Sequence, residues 1–318
     1  MKNILSILVL LFILGCSSKS DVEKQIEKIS IELEIVRFDK AFGTASIENL
    51  PKLKKQFPSF FPKQYHDSIW VKKMQDTLQQ QLYVEVMKKF DSEEEIHDDL
   101  NFLFQHIKYY FPQFATPVIV TTTSDVDYRN KIILSERKLI ISLDTYLGRE
   151  HHFYVGIPNY VSQNMEETQI ISDVASVYAQ TLVPKPRKRD FLSQMIYFGK
   201  ILYLKDLWMT TSLDSEKIGY TKDEYLWVRD NETEIWRNFV ENEFLYSTNP
   251  KLPSRFISPA PFSKFYLEID NDSPGMVGRY IGWEIVRSYM EHNSATIQEM
   301  LTLNAEEIFN KSKYKPKK

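Results

Sequence analysis

The chain contains a single cysteine, Cys16, and this feature limits most strongly how it can fold. Without a second cysteine no internal disulfide can form, so packing alone must stabilise the folded part. The 318 residues include 43% hydrophobic and 14% aromatic residues, which can supply a large core. This size suits one large domain or two small ones, and we expect a single globular domain over 31–310.

The amino-terminal segment has the pattern of a lipoprotein export signal. Lys2 is followed by an apolar run over 4–14, and Gly15 precedes Cys16. The run is shorter than the roughly 20 residues that a membrane-spanning helix needs. The pattern predicts a signal peptide over 1–15, cleavage before Cys16, covalent lipid on Cys16, and a polar tether over 16–30. The mature protein would then face the periplasm from the inner or the outer membrane, held by membrane lipid.

Apolar periodicity predicts a mostly helical α+β protein with a small sheet. Helices are predicted over 68–90, 93–110, 169–183 and 191–207, and strands over 31–38, 117–123, 131–134 and 138–143. Asp190 is placed to cap the fourth helix. Ser273 and Pro274 predict another helix start, because proline at the first helical position loses no hydrogen bond. The lysine-rich end, 311–318, is expected to be a mobile tail.

Several classes of activity lack their sequence signatures. The chain has nine glycines and no G-x-G-x-x-G or P-loop motif, and its net charge of -3 gives no reason to expect nucleic acid. The six histidines include no i, i+4 pair, H-E-x-x-H is absent, and so is the G-x-S-x-G motif of serine hydrolases. We therefore expect no catalytic residues, no bound metal and no cofactor other than the lipid on Cys16.

Two segments near the carboxyl terminus are candidates for packing or for partner binding. Gly278 and Gly282 lie one helical turn apart, beside Trp283, and a glycine pair at this spacing indicates that another backbone packs closely. Phe262 and Phe265 belong to an aromatic segment, 261–268, that is typical either of a partner groove or of a buried strand.

Several uncommon sequence words occur in one order along the chain. They are MIYFGKILY from Met195, IGYT from Ile218, NE at Asn231, LYS from Leu245, PFSKF from Pro261, PG at Pro274, and GWEIVRSYM from Gly282. Together they resemble the gliding-motility lipoprotein family GldB of Bacteroidota, over essentially the whole chain. The resemblance implies an envelope lipoprotein that acts with other envelope proteins of the gliding machinery, alongside the type IX secretion system.

The family is similar in layout to gluzincin-type zinc peptidases, in which one helix carries H-E-x-x-H and a later helix carries an acidic ligand. The resemblance places Ser172, Asp173 and Ser176 at the H-E-x-x-H positions and Phe198 at the acidic position. Two hydroxyls and a phenyl ring are not the imidazole and carboxylate ligands that such zinc sites use. The implied fold is thus a zincin-like scaffold with a degenerate metal site.

These observations predict a membrane-anchored, non-catalytic structural or interaction component of the gliding machinery, built on a peptidase-like domain. Two alternatives stay open. One is a hydrolase with a non-standard site built from Asp173, Glu166, Glu167 or the pair His151 and His152. The other is a module that binds a lipid or a glycan in the aromatic-rich core.

Overall fold

The computed structural model describes residues 20–317, with the side chain of Ile269 left out. Cys16, the predicted signal peptide and Lys318 lie outside the described residues. The helices are α1 Asp21–Ile26, α2 Phe38–Gly43, α3 Leu50–Gln56, α4 Asp67–Gln75, α5 Thr77–Lys89, α6 Glu94–Tyr110, α7 Asn159–Ser162, α8 Gln169–Leu182, α9 Phe191–Trp208, α10 Asp214–Ile218, α11 Lys222–Asp230, α12 Glu232–Glu241, α13 Lys251–Phe256, α14 Val277–His292, α15 Ile297–Thr302 and α16 Ala305–Ser312. The predicted mostly helical α+β class is confirmed.

Four short strands form one mixed sheet. They are β1 Glu34–Arg37, β2 Val118–Thr122, β3 Ile132–Ser135 and β4 Lys138–Ser142, in the order β1-β2-β4-β3. β2 pairs in parallel with β1 and with β4, whereas β3 is antiparallel to β4. Because side chains alternate along a strand, Ile119 and Val120 face opposite sides of the sheet. Ile119 joins the large core formed with the later helices, and Val120 joins a smaller aromatic cluster around Phe38 and Phe42.

The large core is organised around the packed pair α9 and α14. Asp190 caps α9 as predicted, since its carboxylate accepts a hydrogen bond from the amide of Ser193 at 2.8 Å. Where the two helices cross, a Cβ on Gly199 would lie 2.2 Å from the carbonyl oxygen of Gly282, and one on Gly282 would lie 2.0 Å from that of Met195. The main chains of α9 and α14 are therefore in close contact at Gly282.

The single helix predicted over 68–90 is wrong at Asp76, where α4 ends and α5 begins. Asp76 has an extended backbone, with φ -70° and ψ 122°, which a continuous helix does not allow. Its carboxylate accepts a hydrogen bond from the amide of Gln79 at 3.0 Å and so caps α5.

The helix expected to start at Ser273 and Pro274 begins only at Val277. Met276 has the left-handed backbone conformation, with φ 61°, so the chain turns before α14. The side chains of Ser263 and Tyr220 donate hydrogen bonds to the carbonyl oxygens of Pro274 and Gly275, respectively. These two bonds hold the turn in place.

The aromatic segment 261–268 contains no strand. The amides of Phe265 and Tyr266 instead donate to the carboxylate of Asp270, each at 2.9 Å, and this closes a tight turn. The segment packs beneath the turn before α14, where the amide of Ser263 donates to the hydroxyl of Ser273 at 3.2 Å.

The carboxyl-terminal segment 311–317, for which mobility is predicted, makes specific contacts with the domain. The hydroxyl of Tyr314 donates to Glu232 at 2.8 Å, and Nζ of Lys317 lies 2.8 Å from the carboxylate of Glu284. Lysine-rich composition favours a solvated chain, but these two buried carboxylates bind the tail.

Over residues 20–317, none of the helices combines the length and the apolar character needed to cross a membrane.

Candidate functional site

A cavity of about 490 Å³ opens between α8, α9 and the start of α14. We call it the cleft, and its volume falls in the range of small-molecule sites. The polar and aromatic side chains that line it include Ser172, Asp173 and Ser176 of α8, Phe198 and Lys205 of α9, Lys131, Lys217, Tyr220, Glu224 and Arg279. The cleft thus contains all four positions that the sequence placed at a degenerate metal site.

The two serine hydroxyls in the cleft are already bonded. Oγ of Ser172 donates to the carbonyl oxygen of Glu216 at 2.8 Å and accepts a hydrogen bond from Nζ of Lys205 at 2.9 Å. Oγ of Ser176 donates back to the carbonyl oxygen of Ser172, one turn earlier in α8, at 2.9 Å. An ammonium group therefore lies against the hydroxyl of Ser172.

Asp173 is also engaged. Its carboxylate forms an ion pair with Lys131, which enters the cleft from the residue before β3. The hydroxyl of Tyr146 donates to the same carboxylate at 2.9 Å. Burial raises the pKa of Tyr146 well above its usual value, and the charge of Asp173 adds to the effect. Tyr146 therefore stays protonated, and its hydroxyl donates a hydrogen bond that holds the Asp173 carboxylate in place.

This set of side chains does not fit a zinc ion. Phe198 offers no ligand atom, the serine hydroxyls are bonded to main-chain carbonyls, and the only carboxylate among the four positions is paired with Lys131. Within the part of the chain that the structure describes, no three His, Cys, Asp or Glu side chains are grouped so as to hold a metal.

Lys205 is a buried cation that the sequence analysis missed. Besides Ser172, its ammonium donates to the carbonyl oxygen of Lys217 at 2.6 Å, and it forms no ion pair with a carboxylate of residues 20–317. Burial lowers the pKa of Lys205 to about 7; the charge of Asp173 opposes this shift, whereas Arg279, Lys131 and Lys217 add to it. Lys205 thus changes charge near neutral pH.

Arg279 is the second cation of the cleft that has no acidic partner among residues 20–317. Its Nε donates to the carbonyl oxygen of Ile257 at 2.6 Å, and its guanidinium carbon lies 4.1 Å from the centre of the Phe198 ring. Burial lowers the pKa of Arg279 to about 10, so it stays charged at neutral pH. The sequence does contain a signal for these two cations: each lies in a helix that is otherwise apolar on several sides, α9 for Lys205 and α14 for Arg279.

The residues predicted for packing or partner binding mostly lie inside the fold. Phe265, Gly278, Gly282 and Trp283 are buried, whereas Phe262 is half-buried. The Trp283 indole donates to Asp206 at 2.8 Å, and Arg287 binds the same carboxylate through Nε at 2.8 Å. Two residues of the GWEIVRSYM segment of α14 therefore bind a carboxylate of α9 and stabilise the α9–α14 pair.

The residues of the alternative hydrolase site are not brought together. Asp173 lines the cleft, but Glu166 pairs with Arg149 and Glu167 pairs with Lys89, and neither of these glutamates lines it. His151 and His152 stack on each other, with ring centres 4.4 Å apart, and lie outside the cleft lining.

Comparison with protein families identifies one match along almost the whole chain. The model described as "Gliding motility protein GldB" matches residues 19–316. The chain belongs to the GldB family. Membership in this family of gliding motility lipoproteins associates the chain with gliding motility and with a membrane-anchored place in the envelope. No curated protein matches the chain, and no solved structure matches it either.

Proposed function

We propose that this GldB-family protein is a non-catalytic interaction component of the gliding machinery, acting alongside the type IX secretion system. In this proposal lipid on Cys16 holds the domain to the envelope membrane, where it faces the periplasm. The cleft then serves as a docking site for another part of the machinery, and the α9–α14 pair keeps its shape.

The contact between Lys205 and Ser172 supports the non-catalytic part most directly. In a zinc peptidase the corresponding region holds a metal and its reactive water. Here the ammonium of Lys205 lies 2.9 Å from the Ser172 hydroxyl, and Lys131 pairs with Asp173. Two lysine side chains thus contact the side chains of Ser172 and Asp173, and a positive charge there opposes the binding of a metal cation.

Two measurements on the full-length lipoprotein test the proposal. Metal analysis of protein purified in detergent, without added metal, should find no stoichiometric zinc. In cells, Cys16→Ala should release the protein from the membrane fraction and stop gliding, whereas Ser17→Ala should do neither. Stoichiometric zinc would overturn the non-catalytic role, and normal gliding with Cys16→Ala would overturn the need for the anchor.

A hydrolase remains a second candidate because the same contact also resembles a serine–lysine nucleophile pair. A lysine whose pKa is about 7 can accept the proton of a neighbouring serine. However, Ser172 is 1% exposed and its hydroxyl already donates to a main-chain carbonyl. We expect no labelling by a fluorophosphonate probe. Labelling that is lost in Ser172→Ala and kept in Ser176→Ala would favour the hydrolase instead.

A further inference from the structure

The guanidinium of Arg279 has unused donors that line the cleft. Of its five N–H groups, the one on Nε binds the carbonyl oxygen of Ile257, and the two terminal amino groups have no hydrogen-bond partner among residues 20–317. A planar guanidinium matches an oxyanion with two parallel hydrogen bonds. The guanidinium carbon lies over the Phe198 ring, and this contact together with the Nε hydrogen bond holds the group in position. Arg279 is therefore oriented in advance for an anion.

The other charges of the cleft are largely balanced. Lys131 pairs with Asp173, and Lys217 pairs with Asp206 at 3.1 Å. Glu224 forms no ion pair in the described chain, but it accepts hydrogen bonds from the amide of Thr221 at 2.7 Å and from the side-chain amide of Gln163 at 2.9 Å.

With two cations and the carboxylate of Glu224 unpaired in the described chain, the cleft has a net charge of at most +1, which suits a ligand with one negative charge. Lys205 and Arg279 are the cleft cations without a carboxylate partner over residues 20–317, and Lys205 is only partly charged at neutral pH. Such a site suits a carboxylate better than a phosphate, which carries a charge of about -1.5 to -2.

The cleft also has apolar walls. The side chains of Phe198, Leu202, Val161 and Met276 all line it, and Phe198 contacts Arg279. An anion bound at Arg279 would leave the group attached to it in a cavity that contains these side chains in its walls. Apolar surface with a few fixed polar groups is the usual character of a site that selects a particular small ligand or chain end.

We infer that the cleft binds a carboxylate attached to an apolar group, with the terminal amino groups of Arg279 as the principal donors. The inference rests on the proposed interaction role and names the chemistry of what docks. A peptide chain ending in an apolar residue and a short fatty acid both present this chemistry, and the probes below distinguish the two sources.

The first test uses the full-length lipoprotein in detergent and isothermal titration calorimetry at pH 6.5. The probes are N-acetyl-alanyl-leucine, its carboxyl-terminal amide, hexanoate and inorganic phosphate. We expect the free acid to bind at least about tenfold more tightly than its amide, since charge-assisted hydrogen bonds to Arg279 are lost in the amide. Tighter binding of hexanoate would indicate a fatty acid as the source, and tighter binding of the peptide acid a chain end; either supports the inference.

This test compares ligands on the wild-type protein, so its result does not depend on whether a variant folds. Equal binding of acid and amide, no saturable binding of either carboxylate, or phosphate binding as tight as theirs would each overturn the inference.

Variants then test the assignment to Arg279. Arg279→Gln should weaken binding of the preferred carboxylate at least about tenfold. The matched control is Arg255→Gln, because Arg255 also stacks on aromatic rings and donates through Nε to a main-chain carbonyl, but it does not line the cleft. Circular dichroism checks that both variants fold. A folded Arg279→Gln protein that binds as the wild type does would overturn the assignment.

Failure of this inference and failure of the proposed function give different results. Absence of carboxylate binding leaves the anchor and the gliding role to be judged from Cys16→Ala and from metal content. Bound zinc or serine labelling would overturn the non-catalytic role whatever the carboxylates do.

Discussion

NH1 of Arg287 lies 2.9 Å from the carboxylate of Asp214, and NH2 of the same guanidinium lies 2.7 Å from that of Asp206. One arginine of α14 therefore joins the end of α9 to the start of α10. Lys217 binds both carboxylates as well, each at 3.1 Å. These largely buried ion pairs fix the α10 turn, which carries Lys217 and Glu216 next to the cleft.

Asp214→Asn should lower the free energy of unfolding at pH 7 by about 1 to 2 kcal/mol. Burial would raise the pKa of Asp214, but the hydrogen bond and charge of Arg287, with help from Lys217, lower it to about 2. Since the folded pKa lies below the unfolded one, this contribution is present above about pH 4 and is lost as the pH falls through 2. Urea unfolding from pH 3 to 7 measures it.

The control for that change is Asp230→Asn. Asp230 pairs with Arg229 at 2.9 Å on the exposed surface, where such pairs contribute little. If the two variants lost the same stability with the same pH dependence, the network around Arg287 would have no special role.

Lys205→Met should change how stability depends on pH. Burial lowers the pKa of Lys205 to about 7, so between about pH 7 and 10 the unfolded chain binds one proton more than the folded protein does. The unfolding free energy of the wild type, relative to Lys205→Met, should therefore rise with pH by about 1.4 kcal/mol per unit in this window. Below pH 7 the difference should be constant. Denaturant titrations at several pH values provide the measurement.

Lys222→Met is the matched control, because Lys222 is exposed on α11. It should leave the pH profile of the wild type unchanged. If the difference in unfolding free energy between wild type and Lys205→Met did not change from pH 7 to 10, Lys205 would not be a buried amine with a lowered pKa.

Gly282→Ala should destabilise the fold by about 1 to 3 kcal/mol or more, and it should impair gliding. The added methyl group would lie 2.0 Å from the carbonyl oxygen of Met195, so α9 and α14 must separate to accept it. Thermal unfolding and a gliding assay measure the two effects. Glu291→Ala, at an exposed position of the same helix, should change stability by less than about 0.5 kcal/mol. Wild-type stability and gliding with Gly282→Ala would contradict the packing.

Tyr314→Phe should cost about 1 to 3 kcal/mol, because it removes a donor from a buried carboxylate. The hydroxyl of Tyr314 donates to Glu232 at 2.8 Å, and Glu232 is fully buried. Tyr246→Phe serves as the control, since Tyr246 is 58% exposed. Chemical unfolding of both variants checks the expectation. Equal stabilities would mean that the carboxyl-terminal segment does not stabilise the domain.

The sequence predicted the long regular helices well and the breaks between them poorly. α6 and α8 have strong apolar periodicity, whereas α9 is a long, largely apolar run that follows its capping residue Asp190. The structure places each of the three within a residue or two of its predicted ends. Asp76 and Met276 end or delay helices through their own backbone conformations. Asp76 caps the next helix locally, whereas the turn at Met276 is held by tertiary hydrogen bonds to Pro274 and Gly275. Apolar periodicity carries no information about such a local reversal.

The cleft was predicted in part. Resemblance to a peptidase layout selected Ser172, Asp173, Ser176 and Phe198, and these four side chains do line one cavity. Lys205 and Arg279 were missed because their importance depends on what surrounds them. A lysine or an arginine in a helix is ordinary in sequence, and only the packed fold shows that neither of these two has an acidic partner within residues 20–317.

The backbone contact between Gly199 and Gly282 also limits how the cleft can move. Most helix pairs are separated by side chains that can change rotamer, which lets one helix slide along the other. Here two main chains touch directly, so sliding would require the helices to separate first. Phe198 precedes one of these glycines, and Arg279 lies three residues before the other. The distance between ring and guanidinium is therefore set by the scaffold, and the cleft should select its ligand as a rigid template and not by closing around it.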